Sequence, residues 1–169
     1  VSHFHYVLIA GTVFACFAGL IYWYPKMFGY KLNERIGKWV FWIFTIGFNV
    51  CFMPQYFLGL DGMPRRVYTY SEESGWGPLN MVSTIGGFMM GIAFLVLVYN
   101  MYYSFRYAKR ETTGDAWDGR TLEWSTPSAM PPFYNFAKIP EVTGLDHFWR
   151  QKQAGKVEKL TAKDIKPIH

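Results

Sequence analysis

Two histidines separated by one aromatic residue, His3-Phe4-His5, head an uncharged run that extends from Val1 through Tyr24. Imidazole is a common metal ligand, and an ionisable group inside an apolar span is costly enough that it usually has a task. On a helix each residue advances about 100°, so these two rings point roughly 200° apart, on opposite faces. That geometry disfavours one shared metal, which is the work of a pair spaced i, i+4. It suits two separate ligands, one on each side of the helix. The alternative is that one or both imidazoles only hydrogen-bond to neighbouring helices. A second reactive pair, Arg65-Arg66, stands in a loop with Asp61, Glu72 and Glu73. Arginine binds carboxylate or phosphate with a planar fork and stays charged in a partly dry site, so the pair asks for an anion. Lipid phosphate and the loop's own carboxylates are alternative partners. His147 and His169 have no second ligand at suitable spacing and are assigned to solvent.

The elements that must position these groups follow from how charge is partitioned. The 169 residues are 51% hydrophobic and only 17% charged, and no Lys, Arg, Asp or Glu occurs in 1–24, 39–60 or 74–105. Each stretch is long enough to cross a hydrocarbon core of about 30 Å at about 1.5 Å per residue. The fold class expected is therefore an all-α membrane protein: three transmembrane helices of a larger helical bundle, with an extended cytoplasmic C-terminal tail. Nucleic acid is excluded as a partner despite the net charge of +5, because the basic residues are scattered over loops. Cys16 and Cys51 both lie in apolar spans, which argues against a disulfide framework. The chain starts with Val, without a signal-peptide pattern, and is expected to be a piece of a longer protein or one half of a split one.

Taken in order, residues 1–24 form the first span, with Gly11, Ala15, Ala18 and Gly19 allowing close helix approach and Pro25 as the expected stop. The loop 25–38 carries Lys26, Lys31, Arg35 and Lys38 against Glu34 alone, which places it in the cytoplasm and the histidines toward the outer side. Asn33 is the expected N-cap of a second span over 36–60, an aromatic-rich helix that Pro54 should kink. Its aromatic face reads as packing or lipid contact ahead of a cofactor wall. An outer loop, 61–79, holds the arginine pair. The third span, 80–105, carries Gly86, Gly87 and Gly91, and Arg106, Lys109 and Arg110 return the chain to the cytoplasm. In the tail, 106–169, Trp117, Trp124, Phe133, Tyr134, Phe136, Phe148 and Trp149 are too many aromatics for a free linker.

Opposed imidazoles on one membrane helix can serve as axial ligands to haem, whose propionates would provide the anions for Arg65 and Arg66. No other histidine lies in any span, so a second axial ligand must come from elsewhere. At this point Ser2-His3-Phe4-His5-Tyr6-Val7, Trp23-Tyr24-Pro25-Lys26-Met27 and Gly59-Leu60-Asp61-Gly62-Met63-Pro64-Arg65-Arg66-Val67-Tyr68 together resemble the C-terminal part of subunit I of the haem–copper oxygen reductases. Gly114-Asp115-Ala116-Trp117-Asp118-Gly119-Arg120 and Pro131-Pro132-Phe133-Tyr134-Asn135-Phe136 carry the likeness into the tail.

The resemblance implies that His3 is the catalytic, proximal ligand of a high-spin haem iron and His5 an axial ligand of a low-spin haem iron. Phe4 would lie between the two haems, and Arg65 and Arg66 would bind their propionates. It further implies two haems, expected to be a-type, and a copper (CuB) whose ligands lie outside this chain. Partners would be the remainder of subunit I, other oxidase subunits, membrane lipid, and quinol or cytochrome c as electron donor. Gly29 to Trp42 and the tail around Asn135 look more like the quinol enzymes of Gram-positive bacteria, especially menaquinol-oxidising ones. The function implied is reduction of dioxygen to water by quinol, coupled to proton translocation, in a bacterial cell membrane. Cytochrome c oxidase subunit I is the runner-up. A non-catalytic, haem-carrying or scaffold subunit is the alternative of a different class; a transporter is disfavoured because the spans hold no charged relay residue.

Overall fold

The computed structural model describes residues 1–111, 113–129, 135–136, 139–142 and 144–155. Its helices are α1 (Ser2–Leu8), α2 (Phe14–Phe28), α3 (Glu34–Leu60), α4 (Gly77–Tyr107) and α5 (His147–Gln153). A π-helical turn over Ile9–Val13 joins α1 to α2 without a break, and short 3-10 turns cover Glu72–Ser74 and Leu122–Ser125. Among the described residues there is no strand, only an isolated bridge between Tyr30 and Arg110. Three helical runs, Ser2–Phe28, Glu34–Leu60 and Gly77–Tyr107, are long and apolar enough to span a membrane. Helix is the form such runs must take, because in hydrocarbon every backbone N–H and C=O has to be satisfied within the segment.

Helix ends follow local chemistry. Asn33 caps α3 with Oδ1, which accepts from the backbone N–H of Arg35 at 3.0 Å and of Ile36 at 3.2 Å. Pro25, expected to stop the first helix, lies inside it: α2 continues to Phe28. A proline removes one donor and restricts the residue before it, but leaves the following residues free to stay helical. Termination falls instead to Gly29, at φ 75°, whose N–H donates to the Pro25 carbonyl at 2.8 Å.

The chain forms two compact units, Val1–Gly19 with Asn33–Tyr103, and Leu20–Leu32 with the chain from Ser104 onward. In the first, α1 lies along α3, and Phe14 and Phe17 pack edge-on against Phe44 further down. Helices α3 and α4 cross at glycine: a Cβ built on Gly86 would sit 2.2 Å from the Cys51 amide nitrogen, and one on Gly47 would sit 2.8 Å from the Met89 Cβ. Beside the crossing, Ser83 Oγ donates to the Cys51 carbonyl at 2.6 Å and Gln55 Nε2 donates to Ser83 Oγ at 2.9 Å. Cross-helix hydrogen bonds of this kind supply association that apolar contact alone does not give in lipid.

Asn100, fully buried in α4, closes the N-terminal end of α3. Its Oδ1 accepts from the Asn33 N–H and its Nδ2 donates to the Asn33 carbonyl, both at 3.1 Å. Asn100→Leu, similar in volume, deprives both backbone groups of these partners. The Asn33 carbonyl keeps the Gly37 N–H at 2.9 Å, so the loss is that of two hydrogen bonds, typically about 0.5–1.5 kcal/mol each; the thermal midpoint of the purified complex should fall, and an unchanged midpoint would contradict this role.

In the second unit Trp124, 1% exposed, stacks on Trp23 at 5.3 Å between ring centres and meets Tyr22 edge-on at 5.1 Å. Trp117 Nε1 donates to the Tyr22 carbonyl at 2.8 Å. Lys26 is buried, and its Nζ donates to the carbonyls of Thr126 at 2.6 Å and Gly114 at 3.1 Å. Gly114, at φ 77°, is where only glycine fits, since a Cβ there would meet the Thr126 carbonyl oxygen at 2.0 Å. Lys152 in α5 pairs with Asp115 and Asp118 and donates to the Gly119 carbonyl. Trp117 and Trp124 thus have a packing role, while Phe133 and Tyr134 lie outside the described residues. His147, assigned to solvent from sequence, is half-buried with Nε2 3.0 Å from Gln151 Nε2, while His169 lies outside the described residues.

Candidate functional site

The histidine pair sits on α1, where the sequence Ser2-His3-Phe4-His5-Tyr6 lies against the C-terminal half of α3. His5 Nδ1 lies 2.9 Å from the Val1 carbonyl oxygen, one turn earlier. A carbonyl can only accept, so Nδ1 carries the proton and Nε2 presents its lone pair. The ring itself is half-buried and stacks on Phe52 with centres 4.4 Å apart and planes 12° from parallel. Phe4 meets the His5 ring edge-on at 5.3 Å and is itself 60% exposed. His3 is exposed.

The arginine loop leaves α3 at the same end. Phe52, in contact with His5, precedes Leu60 by eight residues, about 12 Å along a helix. Arg65 and Arg66 are exposed, and among the described residues neither forms an ion pair. Of the carboxylates that could have neutralised them, Asp61 is engaged elsewhere: its Oδ2 accepts from the Trp76 indole N–H at 2.9 Å. Arg66 adopts φ 64°, in the left-handed region that non-glycine residues seldom occupy, at a cost of about 1–3 kcal/mol. Such outliers concentrate where a loop is shaped for binding.

Among the described residues no group of three or more His, Cys, Asp or Glu side chains comes together to hold a bare metal ion. A haem does not need one, because its macrocycle supplies four of the nitrogen donors and a single imidazole completes one side. The residues present fit that demand. Nε2 of His5 has a lone pair that could serve as a donor, the second imidazole lies on a different face of the same turn, and two guanidinium groups without an ion pair among the described residues stand at the same end. Asn49, which sequence reasoning did not single out, and Phe52, read from sequence only as part of a packing face, both contact α1, and Ser2 of α1 donates to the Phe52 carbonyl. Asn49 is a polar residue inside an apolar span, a signal that sequence alone offers.

The chain belongs to the family described as cytochrome c and quinol oxidase polypeptide I, whose family model matches residues 1–89. Along its whole length it is 66% identical to quinol oxidase subunit 1 of Bacillus subtilis (strain 168). It is 58% identical to the probable quinol oxidase subunit 1 of Staphylococcus aureus (strain MRSA252). The chain spans 26% of the length of each of these relatives. Membership in this family brings haem and copper as the cofactors of the class and places the three apolar helices in a membrane.

Proposed function

We propose that this chain is the haem-ligating portion of the catalytic subunit of a quinol-driven, oxygen-reducing terminal oxidase. The observation that carries the proposal is the pair of imidazoles on different faces of one turn of a membrane helix, in a chain of this family. In it, His5 Nε2 ligates a low-spin haem iron and His3 a high-spin haem iron, Phe4 stands between the haems, and Arg65 and Arg66 bind the propionates. The rest of the subunit would supply the copper ligands and the other ligand of the low-spin haem. The haems are a-type, the histidine end of α1 faces the outer side, and the residues after α4 lie in the cytoplasm, following the basic bias of 25–38 and 106–110.

When bound, the haem and copper centre supplies the redox chemistry by which one dioxygen takes up four electrons and four protons to give two waters. The chain's own contribution is orientation and charge. The Nδ1–H bond to the Val1 carbonyl fixes the His5 tautomer and the orientation of its ring, leaving Nε2 as the free nitrogen. Stacking against Phe52 holds the plane of the His5 ring. The fixed positive charge of the arginine pair offsets propionate charge and keeps those acids ionised.

Quinol as donor is supported by the names of the relatives, both quinol oxidases. Oxygen consumption by the purified complex separates the donors: menaquinol should sustain turnover and reduced cytochrome c should not. Turnover with cytochrome c alone would overturn the assignment.

A further inference from the structure

Helix α1 is held against α3 by two polar contacts that bracket His5. Ser2, 3% exposed, donates from Oγ to the Phe52 carbonyl at 2.6 Å, and the ring of that same Phe52 carries the His5 imidazole. One turn on, the Tyr6 hydroxyl donates to Asn49 Oδ1 at 2.8 Å. The Asn49 amide is itself oriented, since its Nδ2 donates to the Thr45 carbonyl at 2.8 Å. Ser2 meets Phe52 while Tyr6 meets Asn49, so the contacts run in opposite senses along the two helices, as an antiparallel pair requires.

Their angular placement matters. About the axis of α1, with about 100° per residue, Tyr6 lies about 40° from Ser2, so the two form one stripe facing α3. His5 falls about 60° to one side of Ser2 and His3 about 100° to the other. A stripe placed between the two imidazoles sets the aim of both with a single rotational setting. Apolar contact in lipid does little to choose among rotations of a helix, whereas hydrogen bonds with fixed partners do.

We propose that Ser2 and the Tyr6–Asn49 pair are positioning residues that lock the rotation of α1 on α3 and thereby the aim of the His5 imidazole at its haem. The proposal rests on the reading of His5 as a haem ligand. In the complete haem-loaded enzyme, Ser2→Ala and Tyr6→Phe each delete one hydroxyl with little change of volume. Both variants should retain two haems and carbon monoxide binding at the high-spin site. The electron paramagnetic resonance g-values and midpoint potential of the low-spin haem should shift away from wild type, further in the double variant, and Ser2→Thr should restore them. If Ser2→Ala does not assemble, Tyr6→Phe reads the same property.

Wild-type g-values and potential in Ser2→Ala, Tyr6→Phe and the double variant would overturn the proposal. His5→Ala separates the two levels. Loss of the low-spin signal there, with unshifted positioning variants, removes the inference and leaves the haem reading standing. A persisting low-spin signal in His5→Ala removes the haem reading itself.

Discussion

His5→Ala is expected to remove the low-spin haem signal from the reduced-minus-oxidised spectrum of the assembled oxidase while a carbon monoxide-reactive haem remains. His3→Ala is expected to do the reverse, removing the ligand-binding signal and sparing the low-spin band. Loss of partners outside the ligand set of a metal commonly costs about 10–100-fold in affinity or activity, so loss of a ligand itself should lower turnover by more than about 100-fold in both variants. The separation of the two losses is the informative part. If imidazoles about 200° apart on α1 serve different centres, as proposed, each substitution should leave the other spectrum recognisable. Two variants with the same spectral defect would show that the histidines share one site.

Gly86→Ala is expected to be the most damaging small substitution outside the histidines. The added methyl would meet the Cys51 amide nitrogen at 2.2 Å, its Cα at 2.6 Å and the Gly47 carbonyl oxygen at 2.7 Å. All three are backbone atoms, so no rotamer change relieves the clash and α3 has to move away from α4. Overpacking of this kind costs about 1–3 kcal/mol and sometimes more. Displacing α3 also moves Asn49 and Phe52, its contacts with α1, so the variant should assemble poorly and bind less low-spin haem. Gly87→Ala is the matched control: a Cβ there meets nothing within 4 Å, and replacing a helical glycine removes unfolded-chain entropy. Haem content per subunit, measured for the two side by side, should fall in Gly86→Ala alone. Equal haem content would mean that the close crossing is unimportant.

What could be read in the sequence and what could not divide along a physical line. Features set by short stretches were legible. Charge-free runs gave three helices, Asn33 followed by Glu34 and Arg35 gave a cap, and the spacing of His3 and His5 gave opposed faces because helical geometry is fixed. Features set by contact between distant residues were not. Gly86, Gly87 and Gly91 look alike in sequence, yet only Gly86 lies at the crossing, since which face meets α3 depends on how the helices pack. Lys26 reads as a loop charge that orients the chain, but the helix runs past Pro25 and buries the amine under Thr126 and Gly114, 100 and 88 residues on. Asn100 reads as one polar residue in a long apolar helix until its partner, 67 residues away, is known. In the arginine loop the residue types announce an anion, whereas the left-handed backbone at Arg66 and the diversion of Asp61 to Trp76 are conformational facts with no local signature.

The most direct test of the central claim is an experimental density map of the complete, haem-loaded enzyme around α1. Expected are an iron bonded to Nε2 of His5 and a different iron bonded to His3, with propionates within reach of Arg65 and Arg66. One iron shared by both imidazoles, or either imidazole without an iron, would contradict it.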